Sequence, residues 1–567
     1  MPYHKEDKEA GPETFMQAQM YTPEVLQPEQ LTRNCYRMVV YGLAMPELLD
    51  RYAARAAELA PRLKPDQFSV ILNSFARAHR RHDQMLQAFS KRMPPRLAQF
   101  LPMDLSQTCN AYAKFRERDE QLFRRFSSEM PHKLPLFEGF QLANVANAYA
   151  RLSIRDDLLF DDIADEVVRR PEDLDAAGLL LIANAFSHFG SRHQRLWPVL
   201  AEWLLESYLD LAAENVALCL NAFSSVKFVH EGLLRTLVRG LSEGPLAREL
   251  QPGSLGLALN AISRLQWTGD EDAIKALAAR AASCIGDFSP SGVTQLLHAC
   301  SQHRLLGAQA DLVDGCLERA HELVAEFNAQ SLSILVLACS KLRRRNVPLL
   351  TQVAKAVTPR IKEFTPQALA MVAHGFSRLE VRSEILFYLL ASEIVEKMPL
   401  FSGQGVGMVL RAYGHLEIKH ERLIQACRKQ ARVLTEELSL SEIEAMEAGF
   451  RSLGALDSST ERALQRQRRQ LGVAGPATAR ADHWGQEEDR LLRRLAEDPL
   501  PEQPPAEETP PAAEEPPPTA EEASPLASVV AAAPGREGGG AAAPAEGGDR
   551  GEGERLDLWS LWAEQPA

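Results

Sequence analysis

Positively charged side chains recur in this chain at a fixed interval. Arg81, Arg118, Arg155 and Arg192 stand 37 residues apart, and Arg345, Arg382 and Lys419 resume the series after a gap at Val229, Thr268 and Leu306. Four residues before each position runs a second column: Arg77, Lys114, Arg151, His188, Ser225, Arg264, Gln302, Lys341, Arg378, His415 and Ser452. Four residues earlier again stand Asn73, Asn110, Asn147, Asn184, Asn221 and Asn260, continued by His298, Leu337, His374, Arg411 and Ala448. Arginine and lysine hold phosphates through charge-assisted hydrogen bonds, and asparagine can both donate to and accept from a base edge. A line of such groups suits a polyanion, in the way other helical repeats read single-stranded RNA at about one base per repeat. Chemistry of other kinds finds no support. The histidines form no HExxH or Cys-His pattern, the cysteines no CxxC pair, and GQGVG at 403–407 follows no strand. No catalytic residue, metal site or cofactor is therefore expected.

The interval itself names the scaffold. NSFAR, NAYAK, NAYAR, NAFSH and NAFSS begin at Asn73, Asn110, Asn147, Asn184 and Asn221. Later copies extend the series to Ala448, and a degenerate one, NCYRM, begins at Asn34. A period of this length marks a solenoid, whose units each fail to bury a core alone and gain one by stacking. With the signature position set to zero, residues at −5, −2, +2 and +5 are apolar, as in Leu142, Val145, Tyr149 and Leu152 or Val406, Val409, Tyr413 and Leu416. That spacing is one stripe of an α-helix. Position −9 carries a capping residue in Asp175, Ser289, Asn328, Thr365, Ser402 and Ser439, and position −8 is Pro65, Pro102, Pro252, Pro290 or Pro366. These predict an N-cap followed by an N1 proline. A first helix of about 14 residues follows, then a turn holding position +8, then a second amphipathic helix such as DDLLFDDIADEVVRR at 156–170. The expected fold is all-α, a right-handed α-α superhelix of about 11–12 helix-turn-helix repeats. It spans 26–470, after an N-terminal segment at 1–25 and before a Pro/Glu/Ala-rich tail at 471–567.

On this helix the Asn column points away from the main apolar stripe, at about 100° per residue. Two readings of it stand open: contact with a ligand, or a hydrogen-bond ladder between neighbouring repeats. The +4 cations sit in the last helical turn, where the macrodipole alone favours positive charge. The +8 arginines lie beyond the helix, where that explanation weakens.

Charge is distributed unevenly. Residues 471–567 hold 7 Lys+Arg and 20 Asp+Glu, which accounts for the whole net charge of −13, so residues 1–470 carry 56 of each sign. A neutral solenoid leaves room for a basic side. The tail holds 14 of the 35 prolines, a composition expected to stay disordered. Two islands interrupt it, HWGQEEDRLLRRLAED (483–498) and LDLWSLW (556–562), with three of the six tryptophans, and these read as short motifs for protein partners. The eight cysteines, five of them at small apolar repeat positions, read as reduced core residues, and no apolar run is long enough to span a membrane. The opening MPYHKEDKEAGPETF fits neither a signal peptide nor an Arg-rich, acid-poor transit sequence. Either the chain has no presequence or it starts downstream of one.

The 37-residue period and the NAYARL and NAFSHF segments resemble the heptatricopeptide-repeat proteins, relatives of octotricopeptide-repeat, RAP-domain and FAST-kinase-like organellar proteins. The chain is similar, too, to helical-repeat subunits of the kinetoplastid RNA-editing substrate-binding complex. The resemblance covers roughly residues 30–455. It implies an all-helical RNA-binding protein of the mitochondrion, active in RNA processing, stability, editing or ribosome assembly, with single-stranded organellar mRNA or rRNA as partner. Many relatives end in a nuclease-like RAP domain where this chain has its acidic tail, so no nuclease activity carries over. A protein-binding scaffold of the armadillo or HEAT kind is the alternative.

Overall fold

The computed structural model describes residues 22–42 and 45–471. Two kinds of helix alternate along them. The A helices run Pro28–Val40, Pro65–Arg77, Pro102–Lys114, Gly139–Arg151, Ala176–His188, Ala213–Ser225, Pro252–Leu265, Pro290–Gln302, Ala329–Lys341, Pro366–Arg378, Gly403–His415 and Leu440–Ser452. Each is followed by a B helix, from Pro46–Leu59 in repeat 1 through Asp83–Arg92, Glu120–Glu129 and Asp157–Arg169 to Ser458–Gln470 in repeat 12. The described chain is thus an α-helical solenoid of twelve helix pairs. A helices pack on A helices and B helices on B helices, with the A–A contacts the more extensive. The leading segment 1–25 and the tail at 471–567, with its two tryptophan-bearing islands, fall almost entirely outside the described residues.

The start of each A helix follows from its first residues. Asp175, Ser289, Asn328, Thr365, Ser402 and Ser439 each accept a hydrogen bond from the backbone N–H three residues on, and all five prolines sit at N1. Such caps stabilise a helix by about 1 kcal/mol. In repeats 1 to 4 the cap residue is Gln27, Lys64, Leu101 or Glu138, and its orphan N–H donates instead to the side chain of Gln30, Gln67, Asp104 or Gln141. This is half of a capping box. The expected stripe is the core: Leu142, Val145, Tyr149 and Leu152 are all buried. Tyr149 and Tyr413 at +2 donate their hydroxyls to the carbonyls of Phe123 and Phe387 in the preceding B helix, at 3.1 and 2.6 Å. All eight cysteines are free thiols, seven of them buried.

The A helices of repeats 2–7 and 9–12 end the same way, whereas that of repeat 8 runs out into an extended His303. Position +6 has a positive φ in His79, Arg116, Ser153, Gly190, Lys227, Gln266, Arg343, Glu380, Glu417 and Gly454. The N–H at +7 then reaches the carbonyl at +2, as Ile154 to Tyr149 at 2.9 Å, which closes a Schellman motif. Position +9 caps the B helix: Asp119 and Asp156 do so with a carboxylate, and His82, His230 and His420 with Nδ1.

Close stacking needs small side chains at +1. At Gly375 a Cβ would lie 2.5 Å from Val336 Cγ1, and at Gly449 it would lie 2.6 Å from Leu410 Cβ. In the other repeats from 2 to 12 the column is Ser74 or alanine, from Ala111 through Ala148 and Ala261 to Ala412.

The A helix, expected at about 14 residues, is 13 in eleven repeats, ending at +4, and 14 in repeat 7. One expectation is corrected. The first repeat is registered on Tyr36, not Asn34: Pro28 is its N1 residue and Gly42 its positive-φ residue, each 37 before Pro65 and His79. Asn34 stands two positions early and donates to the Tyr52 hydroxyl at 3.1 Å.

Candidate nucleic-acid interface

The +4 side chains project from the last residue of each A helix, and stacking sets them side by side. Arg77 and His188 are exposed, whereas Lys114, Arg151, Arg264, Lys341 and Arg378 are half-buried. Burial, and then the charges of Arg151 and Arg77 on either side, hold the Lys114 ammonium below the usual lysine value. Each of these effects opposes the charged form. Three successive repeats thus hold cations close enough to repel one another, an arrangement an anion would relieve. Farther along, the same column turns inward on itself. Arg264 donates to Asn221 Oδ1 at 3.2 Å and Ser225 Oγ at 3.0 Å, and Gln302 Nε2 lies 3.4 Å from His298 Nε2. His188 meets Ser153 Oγ and His415 meets Ser377 Oγ, each at 3.3 Å.

The +8 residues lie in the turn, one position before the B-helix cap in all but Arg192, and Arg81, Arg118, Arg155, Arg192, Arg345, Arg382 and Lys419 are all exposed. Here the local sequence supplies counter-charges. Acidic residues favour the first turn of a helix, and the B helices begin with Asp83, Glu120, Asp157 and Glu384. Arg81, Arg118, Arg155 and Arg382 pair with these at 2.8, 3.0, 2.9 and 3.6 Å. Arg81 also reaches Glu117 at 2.6 Å, and Arg345 donates to the Glu380 carbonyl at 3.2 Å. Exposed pairs of this kind are worth about 0–1 kcal/mol each. They would release an arginine readily, yet they leave the column close to neutral.

At the gap in +8, Val229 of repeat 6 occupies a turn of ordinary length, while the turns of repeats 7 and 8 are altered. One residue is added to the turn of repeat 7, whose B helix is capped by Asp270 at +10. In repeat 8 a short helix, Arg304–Gly307, fills the turn, and Leu306 at +8 is buried within it.

Asparagine at position zero lies between adjacent A helices. Asn147 and Asn184 are 5% and 3% exposed, and Asn73, Asn110, Asn221 and Asn260 are half-buried. The column leaves the A–B stripe, as its angular position on the helix indicates, and enters the A–A seam between neighbouring repeats. The Asn184 Oδ1 is buried without a hydrogen-bond partner among the described residues.

One recurrent cation escaped the sequence reading. Arg96, Lys133, Arg170, Arg360 and Lys397, at +23, donate to the carbonyls of Leu63, Phe100, Phe137, Phe327 and Phe364, at 2.6, 2.9, 2.6, 2.8 and 2.8 Å. Each closes the turn that leads into its own repeat's A helix. The 37-residue spacing was the available signal, and these cations are structural.

Fold and surface together define the class: a helical-repeat solenoid with aligned polar columns and, among the described residues, no group of His, Cys, Asp and Glu able to hold a metal ion. No helix among them is long and apolar enough to cross a membrane. The sequence profile of the RNA-editing substrate-binding complex 6 protein family matches residues 14–177, 47–325 and 319–500, and the chain belongs to that family. Curated protein sequences return no match. Among solved structures, an AP-3 complex homology model in an intermediate open conformation is 11% identical, covering 82% of each chain at a TM-score of 0.30. The pentatricopeptide repeat protein PPR10 from maize is 11% identical over 86% of this chain and 95% of its own, at a TM-score of 0.23. A circular tandem repeat protein with a novel repeat topology is 12% identical over 78% and 91%, at 0.16. Superpositions this loose carry no weight here.

Proposed function

We propose that this protein is a non-catalytic holder of single-stranded RNA in mitochondrial RNA processing and editing, gripping the backbone with its +4 column. The observation that carries this reading is the run Arg77, Lys114 and Arg151, which stand at the last residue of three successive, directly stacked A helices, with Lys114 and Arg151 half-buried. A line of like charges in a partly desolvated seam is a candidate site for an anion. Membership in an RNA-editing substrate-binding complex family supports RNA as that anion. The +8 arginines would serve as a second, exchangeable rank of phosphate contacts. Asn147 and Asn184, buried in the seam, contribute to stacking.

Ion pairing in the +8 column favours a second reading, a protein-binding scaffold, because Arg81, Arg118 and Arg155 already face acids of their own chain. Single-stranded RNA binding by the full chain across a salt series decides between them. The slope of log K against log salt should be near −0.7 per phosphate contact, so converting Arg77, Lys114 and Arg151 to Glu should flatten it by about 2. RNA affinity that survives this change undiminished would overturn the proposal, and failure of the unaltered chain to bind RNA would favour the scaffold.

A further inference from the structure

We infer that the solenoid holds two separate segments of single-stranded RNA, one on repeats 2–5 and one on repeats 9–11, with repeats 6–8 as a bridge that lacks the basic columns. The inference rests on the RNA reading above and divides its site. Both basic columns fail in the same three repeats. Position +4 reads Ser225, Arg264 and Gln302, and position +8 reads Val229, Thr268 and Leu306. The one cation among these six, Arg264, is tied to Asn221 and Ser225 of the preceding repeat. Lys227 and Arg304 stand at +6, separated by Gln266, and make no column with each other.

Geometry deepens the break. The turns of repeats 7 and 8 are lengthened, so the +8 position loses its place before the B-helix cap, and Leu306 is withdrawn into the core. His303 joins the two, its buried Nε2 lying 3.0 Å from the Trp267 carbonyl. An additional helix, Gly244–Glu249, enters between the B helix of repeat 6 and the A helix of repeat 7. From the A helix of repeat 5 to that of repeat 9 there are four interhelical steps, roughly 30–40 Å along the stack at 8–10 Å each. Screening at physiological salt decays over about 8 Å. The two basic tracts therefore act on a polyanion as independent fields, and a phosphate backbone crossing the bridge gains nothing from it.

The test is stoichiometry on the full chain. An oligouridylate of about eight nucleotides, twice what four repeats need at roughly one base per repeat, is titrated by calorimetry and native mass spectrometry. Two equivalents should bind. Changing Arg77, Lys114 and Arg151 to Glu should leave one, and changing Arg378, Arg382 and Lys419 to Glu should leave the other. The corresponding Gln variants repeat each arm if a Glu variant loses its helical circular dichroism. An oligouridylate of about thirty nucleotides should bind once, and either variant should weaken it by about 10- to 100-fold as avidity is lost. A single equivalent of the short oligonucleotide, abolished by either variant, would overturn the division while sparing the RNA reading. Absence of any binding to the unaltered chain would overturn both.

Discussion

Repeats 2 to 5 and repeats 6 to 8 share a core and differ at its edges. In both regions the A helix buries the same stripe and keeps a small residue at +1, and in every repeat but the sixth it begins at a defined cap or N1 proline. In the first region the turns of repeats 2 to 4 share one length, Arg77, Lys114 and Arg151 stand at +4 and four arginines at +8, and Arg96, Lys133 and Arg170 brace three of its four repeats at +23. In the second, two turns change length, no cation stands at +8 or +23, and the one at +4, Arg264, is tied to Asn221 and Ser225. Stacking is thus maintained by apolar spacing, while surface chemistry depends on a register that a single inserted residue can shift. The difference separates what builds the solenoid from what it offers to a ligand.

The strongest challenge to this contrast is charge reversal in each region. Arg77, Lys114 and Arg151 changed to Glu should lower single-stranded RNA affinity by about 10²-fold in moderate salt, since several phosphate contacts vanish and repulsion replaces them. Lys227 and Arg264 changed to Glu should cost no more than about 3-fold. Equal losses, measured by fluorescence anisotropy, would erase the distinction.

The feature common to both regions is probed by enlarging +1. Ala148→Leu and Ala261→Leu should each destabilise by about 1–3 kcal/mol through overpacking of the A–A seam. Chemical denaturation should show similar losses; a neutral Ala261→Leu would mean the central helices are spaced differently.

A smaller effect belongs to His303. Burial keeps its imidazole below the usual histidine pKa, with Nε2 against the Trp267 carbonyl partly opposing that shift. The opened state therefore takes up a proton that the native state resists. Stability from the neutral ring is present above about pH 6.5 and is lost as pH falls below it. Hydrogen exchange, corrected for its intrinsic pH dependence, should rise in residues 290–307 between about pH 7 and 5 more than in 139–151. His303→Gln should remove most of that difference.

Least in size is the effect of relieving charge crowding. Lys114→Met should raise the melting temperature by about 1 °C while weakening RNA binding. A lowered melting point would show that the ammonium has a stabilising partner instead.

Much of this architecture was legible because it is local. Spacings of three and four residues, the caps at Asp175 and Ser289 and the prolines at N1 are decided within one turn of chain. The first repeat shows how a signature can mislead: Asn34 beside Cys35 mimics it, but Pro28, 37 residues before Pro65, gives the true register. The pairing of Arg81, Arg118 and Arg155 was also within reach, since Asp83, Glu120 and Asp157 follow two residues later; reading columns singly hid it. Burial of Asn184, the bond from Arg264 to Asn221 and the repulsion at Lys114 were out of reach. They arise between repeats, and the distance between repeats is a property of packing that no single period reveals.

The small residue at +1 has a consequence beyond stability. Because Gly375 and Gly449 let one A helix rest against the backbone of the next, they act as a gauge that fixes how far apart successive +4 groups stand. A change in that column would retune the tooth spacing of the comb without touching a tooth. Ligand preference in such a protein can therefore drift through residues that never meet the ligand.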